Sequence, residues 1–251
     1  MSWILFIFLS VYILISTVWG YRRFKTLKEE EVNEAVKLRI YRESVIEGWI
    51  LTAVLLLIAI LARIPITNIG LKHLELGFMD YSLWIKVVTF VLCGILMVLL
   101  LYQMVGYLFS KAYRIKLEQQ LTAMAEKNKH YDTILDIMIP KTPLEKRWFA
   151  LTSLTAGIGE EFIYRGFMTY LLFDLFPEAG VFLILIATGL IFGIAHAYQG
   201  VHGMLKTALM GILFGALYYA SGSLIPGMVL HFISDFSSCF LHDPGQQQVA
   251  D

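Results

Sequence analysis

The sequence predicts an all-α fold, a polytopic bundle of transmembrane helices, on three observations. Of its 251 residues, 58% are hydrophobic and only 16% charged, against roughly 45–50% and about 25% in a soluble globular chain. The apolar excess is gathered in separated blocks, each near the ~20 residues that cross a bilayer as a helix. Basic residues collect in alternate connections between the blocks, the bias that orients membrane helices. The chain reads as a single integral membrane domain, 1–251, with a mean hydropathy of +0.68.

About seven spans are expected, near 3–19, 47–66, 83–108, 152–176, 180–197, 204–220 and 223–241. The first block, MSWILFIFLSVYILISTVWGYRRF, has no basic residue ahead of its apolar run and no small-residue cleavage site. It therefore reads as a retained span with the N-terminus outside, not a signal peptide. Residues 20–46 follow, basic from Arg22 to Arg42, with Glu and Lys/Arg at helical spacing. They predict a cytoplasmic loop that is itself helical and lies at the surface. Between spans two and three only Arg63 and Lys72 precede Lys86, which suits an outside loop. Residues 109–147 are basic again, from Lys111 to Arg147, and are expected in the cytoplasm. The prolines of IPKTPLEKRW break the chain ahead of span four. Four further spans leave the C-terminus inside.

Within the last spans, Gly189 with Gly193 and Gly211 with Gly215 stand four apart, a spacing that lets helix backbones approach. Cys93 and Cys239 fall inside apolar blocks and read as small packing residues. The formal net charge is zero, so no global field favours nucleic acid. There is no repeat, no GxGxxG and no CxxC.

Charge inside the membrane costs several kcal/mol, and such residues normally face the bundle interior or a wet cavity. Here they concentrate in the last four spans: Glu160, Glu161 and Arg165, then His196, then His231 and Asp235. Glu161 and Arg165 are four apart and can pair on one face. Glu160 points about 100° away, so one arginine need not neutralise both carboxylates. Phe192 and His196 share the spacing, which lets the ring wall the imidazole. So do His231 and Asp235, which lets the carboxylate orient the histidine. Glu160 falls roughly one turn inside the inner end of span four, and His196 near the cytoplasmic end of span five. The three groups can meet in a cavity open to the cytoplasm. His73, His130, His202 and His242 sit at loops or span ends and carry no such pattern.

A carboxylate with two histidines suits activation of a water molecule, the carboxylate taking its proton. One histidine can hold the water, and the other can donate to the oxyanion formed when water attacks an amide. No triad activates Ser234 or Cys239. The same set, Glu160, His196 and His231, can also ligate zinc, although no H-E-x-x-H arrangement places two ligands and a base on one helix.

Three short motifs carry a resemblance. EEFIYRG at 160–166 resembles the EExxxR motif of the CPBP family, the CAAX prenyl endopeptidases and bacteriocin-processing (ABI) proteins. FGIAH at 192–196 is similar to its FxxxH motif, and HFISD at 231–235 to its HxxxN/D motif. They occur in order on three predicted spans, and the resemblance covers about 145–240. It implies an all-helical intramembrane glutamate protease whose cavity opens toward the cytoplasm, with no cofactor. It further implies that Glu160 activates water, that His196 positions it, and that His231 and residue 235 form the oxyanion site. Glu161 and Arg165 would support the first motif. One position departs from the prenyl endopeptidases, which have asparagine where this chain has Asp235. An ionised aspartate accepts hydrogen bonds and donates none. Either Asp235 is protonated, or it orients a charged His231 that donates.

The expected substrate is a membrane-associated peptide or protein, cleaved near the cytoplasmic face of a prokaryotic plasma membrane, and the bilayer is the one constant partner. Two other classes compete with this expectation: a non-catalytic scaffold or bacteriocin-immunity protein on the same fold, and a proton-coupled carrier built from the same buried groups.

Overall fold

A long helical rod from Pro143 to Leu175 runs through the bundle. The computed structural model describes residues 1–27, 32–73, 83–127, 137 and 139–241; His130 and His242 lie outside them. The described residues form α1 (Ser2–Leu27), α2 (Glu34–Leu61), α3 (Leu83–Phe109), α4 (Lys111–Lys127) and α5 (Pro143–Glu160). A π-helical segment (Glu161–Met168) joins α5 to α6 (Thr169–Leu175); α7 (Val181–Ala195), α8 (Gly200–Ser221) and α9 (Ile225–Phe236) follow. Among the described residues there is no strand.

The molecule is an all-helical membrane bundle. Four of its helical stretches are long and apolar enough to cross a bilayer: Ser2–Leu27, Glu34–Leu61, Leu83–Phe109 and Ala197–Ser221. The other three predicted spans differ in length or polarity. α7 has 15 residues and α9 has 12, short for a full crossing, and the Pro143–Leu175 rod carries the charged motif. Span two also ends earlier than expected, at Leu61 rather than 66. Arg63 takes a left-handed backbone (φ 55°) just ahead of Pro65, and the helix cannot continue through either. Outward faces of α1 and α3 are apolar, with Ile4, Leu14, Ile15, Val98 and Leu99 all exposed. Apolar surface on that scale fits lipid contact.

In the polar segment 20–46, residues up to Leu27 complete α1 and residues from Glu34 begin α2, helical as the charge spacing predicts. The start of α2 is not merely a surface helix, because it docks on the start of α5. Lys37, buried in α2, donates to the Ile139 carbonyl (3.1 Å) and reaches Glu145 (3.5 Å). The Tyr41 hydroxyl donates to the carbonyl of Ile137 (2.5 Å). Thr142 caps α5 by accepting from the Glu145 amide, and Pro143 occupies the first turn, where a missing N–H costs nothing. Helix α5 thus begins nine residues ahead of the predicted span.

The glycines set the closest approaches. α7 and α8 form the tightest antiparallel pair. A Cβ on Gly193 would lie 2.7 Å from the Met204 carbonyl oxygen, and one on Gly211 would lie 2.9 Å from the Gly189 Cα. Gly157 does the same between α5 and α9, where a Cβ would sit 2.9 Å from the Phe232 nitrogen. Gly166, inside the π segment, admits the 62–73 connection, with 2.7 Å from its virtual Cβ to the Ile69 carbonyl. All eight residues of the π segment are buried, and Phe167 and Met168 are fully so. The charged motif therefore sits at the centre of the bundle.

Gly193→Ala should destabilise by about 1–3 kcal/mol, because the backbone it meets cannot yield. Gly94→Ala in α3, where a Cβ meets nothing within 4 Å, should be neutral or stabilising by about 0.5–1 kcal/mol. Thermal unfolding of the two variants in one detergent checks the opposite signs.

Candidate active site

The change from α- to π-helix falls between the two adjacent glutamates: Glu160 ends α5 and Glu161 opens the π segment. π segments of one or two turns are frequent at functional sites. Here the two carboxylates reach different environments. Glu160 lines a cavity of about 550 Å³ with His196, His231 and Asp235. Glu161 and Arg165 sit behind that wall, 0% and 1% exposed.

Glu161 is the hub of the buried layer. Its Oε1 lies 2.9 Å from Arg165 Nη1 and 2.8 Å from His231 Nδ1. The arginine contact is close in distance but its N–H bonds point off the line. Among the described residues Arg165 Nη1, Arg165 Nη2 and Glu161 Oε2 have no hydrogen-bond partner. The guanidinium is instead held between aromatic faces, its Cζ 4.2 Å from the Phe192 ring centre and 5.5 Å from that of Phe214. A desolvated cation over an aromatic face gains about 2 kcal/mol. Glu161 reaches this position because Gly227 has no side chain: a Cβ there would stand 3.0 Å from Oε2. Gly227 and His231 are four apart on α9, so one helix face both clears room for the carboxylate and donates to it.

Both histidines are fixed by the nitrogen that faces away from the cavity. His196 Nδ1 lies 2.8 Å from the Phe192 carbonyl, which can only accept, so the proton is on Nδ1. His231 Nδ1 likewise faces the Glu161 carboxylate. Each ring therefore presents Nε2 to the cavity, and each Nε2 is 3.8 Å from Glu160 Oε2. Phe192 packs edge-on against the His196 ring (4.6 Å) and more distantly against that of His231 (6.0 Å). Asp235 Oδ2 is 3.6 Å from His231 Nε2.

The last contact bears on one sequence expectation. Four-residue spacing lets Asp235 reach His231, and it does, but Glu161 also holds the ring, at Nδ1. Asp235 approaches the opposite nitrogen, on the cavity side. The spacing rule sees only partners within one helix, whereas Glu161 comes from another. Phe214 and Gly227 were not singled out in the sequence. Gly227 lies one helical turn before His231, and Phe214 lies between Gly211 and Gly215 of the packing stripe. A small residue facing a motif histidine is the signal that could have found Gly227. The π segment leaves no mark in composition.

Among the described residues no three His, Cys, Asp or Glu side chains form a group that would hold a metal ion. Both cysteines are buried thiols, and Cys239 lies four residues beyond Asp235.

Residues 143–237 match the family model of type II CAAX prenyl endopeptidases, Rce1-like. The matched segment carries all three motifs, from Glu160 to Asp235. Helices α1–α4 lie outside the matched residues. No curated protein and no solved structure matches the chain.

Arg165→Met removes the partner of a buried carboxylate and should cost about 3–5 kcal/mol. Chemical or thermal unfolding in detergent reads that loss; a change below about 1 kcal/mol would mean that the pair does not hold the helix.

Proposed function

We propose that the protein is an intramembrane endopeptidase of the CAAX-protease type, in which Glu160 activates the water that cleaves a peptide bond. One observation carries this reading: Glu160 Oε2 stands 3.8 Å from the Nε2 atoms of both His196 and His231 on a cavity wall. These distances exceed a direct hydrogen bond and suit a water bridging the carboxylate to a ring nitrogen. The match of residues 143–237 to an endopeptidase family supports the same reading.

The proposed sequence of events needs no covalent intermediate. A water held at Glu160 and His196 loses a proton to the Glu160 carboxylate as its oxygen attacks the scissile carbonyl carbon. The carbonyl oxygen becomes an oxyanion, and His231, when it carries a proton on Nε2, donates to it. Glu160 then returns the proton to the departing amide nitrogen as the C–N bond breaks. Glu161 keeps the His231 ring in register, and Arg165 keeps Glu161 in place. Asp235 faces the same Nε2 at 3.6 Å.

The substrate in this reading is a membrane-tethered peptide or protein. In this reading the protein lies in a prokaryotic plasma membrane and its cavity opens to the cytoplasm; the basic residues of 20–46 and 109–147 support an orientation with those segments at the cytoplasmic face. A zinc-dependent variant would use Glu160, His196 and His231 as ligands. It has one point in its favour, since both Nδ1 atoms donate to fixed acceptors as they do behind metal ligands.

Purified protein should cleave a membrane-tethered reporter peptide, and Glu160→Gln should lower kcat by at least about 10³-fold. Equal cleavage by the two would contradict the assignment, and function retained by Glu160→Gln in cells would favour the scaffold reading. Chelator should leave activity unchanged; loss of activity that added zinc restores would replace the metal-free mechanism.

A further inference from the structure

We propose that Tyr198 is a catalytic residue whose phenol donates a hydrogen bond to the oxyanion, with Gln199 and Thr207 as its positioning residues. The proposal rests on the endopeptidase reading above. It answers a gap left by the sequence, since a carboxylate at 235 accepts hydrogen bonds where the mechanism needs donors.

Tyr198 follows His196 by two residues, on the single 3-10 turn Ala197–Gln199 between α7 and α8. Its ring lies 5.8 Å from that of His196 and 5.6 Å from that of Phe24 in α1. It lines the same cavity as Glu160, His196, His231 and Asp235. The ring is therefore held on two sides, beside the histidine that faces the water site.

The polar end is held by a directed chain. Thr207 Oγ1 donates to Gln199 Oε1 (3.4 Å), and Gln199 Nε2 donates to the Tyr198 hydroxyl oxygen (3.2 Å). With that oxygen accepting, the phenolic proton is left to donate. The local backbone is built to admit Gln199. Gly200 has φ +77°, which turns the chain into α8, and a Cβ on Gly203 would lie 2.9 Å from Gln199 Oε1. Preorganised donors of this kind are worth about 10²–10³-fold in kcat. A second phenol, Tyr164, also lines the cavity and packs edge-on against Phe192 at 4.9 Å. It is the rival donor.

Tyr198→Phe keeps the ring and removes the donor. With the membrane-tethered reporter peptide, kcat should fall by about 10²-fold while KM stays within about twofold. A phosphinate peptide that mimics the tetrahedral intermediate should lose affinity by the same factor. Gln199→Met should lower kcat in the same direction, by less, with KM unchanged. Wild-type kcat in Tyr198→Phe would overturn the proposal, as would a larger loss in Tyr164→Phe or an equal loss of substrate and phosphinate affinity. If Tyr198→Phe fails to fold in detergent, Gln199→Met carries the test by the same kcat and KM criteria. A wild type that does not cleave overturns the endopeptidase reading and this proposal together. An active Tyr198→Phe beside an inactive Glu160→Gln overturns this one alone.

Discussion

The structure depends on the Glu161 carboxylate, which reaches across to α9 and holds His231 by its Nδ1 while Arg165 lies against the same oxygen. A buried carboxylate without partners is prohibitive in a bilayer interior, and an unpaired arginine no less so. Together they are tolerated because each satisfies part of the other. The price is a pair of aromatic faces, a glycine on α9 and a stretch of π-helix in the middle of a long rod. The two rings and the glycine touch the pair from other helices, and the π-helix carries it. The buried layer then fixes the ring of His231 from behind, and leaves its second nitrogen to the cavity.

That division explains why two adjacent glutamates are present. Glu160, on the α side of the junction, is 30% exposed at its side chain, and Glu161, on the π side, is 0% exposed. Were both on the cavity, two carboxylates would repel across a short distance. Were both buried, one arginine could not balance them. The α1–α2 unit completes the enclosure from outside the matched segment: Tyr12, Ser16, Arg23 and Glu47 line the cavity opposite the motifs. The Lys37 and Tyr41 contacts to the 137–145 stretch tie that wall to the matched segment.

Much of this was legible in the sequence, because a bilayer imposes strong rules. Apolar blocks gave the helices, and the four-residue glycine spacing gave the α7–α8 contact at Gly189, Gly193, Gly211 and Gly215. The clustering of Glu160, His196, His231 and Asp235 also followed from the cost of charge in hydrocarbon. Partners on different helices were not legible. Periodicity relates residues on one helix, so it offered Asp235 for His231 where the fold also supplies Glu161. The early end of α2 at Arg63, the π segment and the docking of Lys37 on Glu145 likewise depend on tertiary packing rather than on local pattern. Tyr198 and Gln199 went unnoticed for a related reason: a polar residue just beyond a span reads as loop until the turn is seen to fold over the cavity.

The central claim is that the two glutamates have separate tasks, one for chemistry and one for architecture. Unfolding and reporter cleavage measured on the same preparations of Glu160→Gln and Glu161→Gln test it most directly. The account predicts a crossed result. Glu160→Gln keeps the wild-type unfolding midpoint and loses cleavage, whereas Glu161→Gln unfolds at lower temperature and keeps residual cleavage under conditions where it remains folded. Two variants that lose stability and cleavage in the same proportion would contradict it.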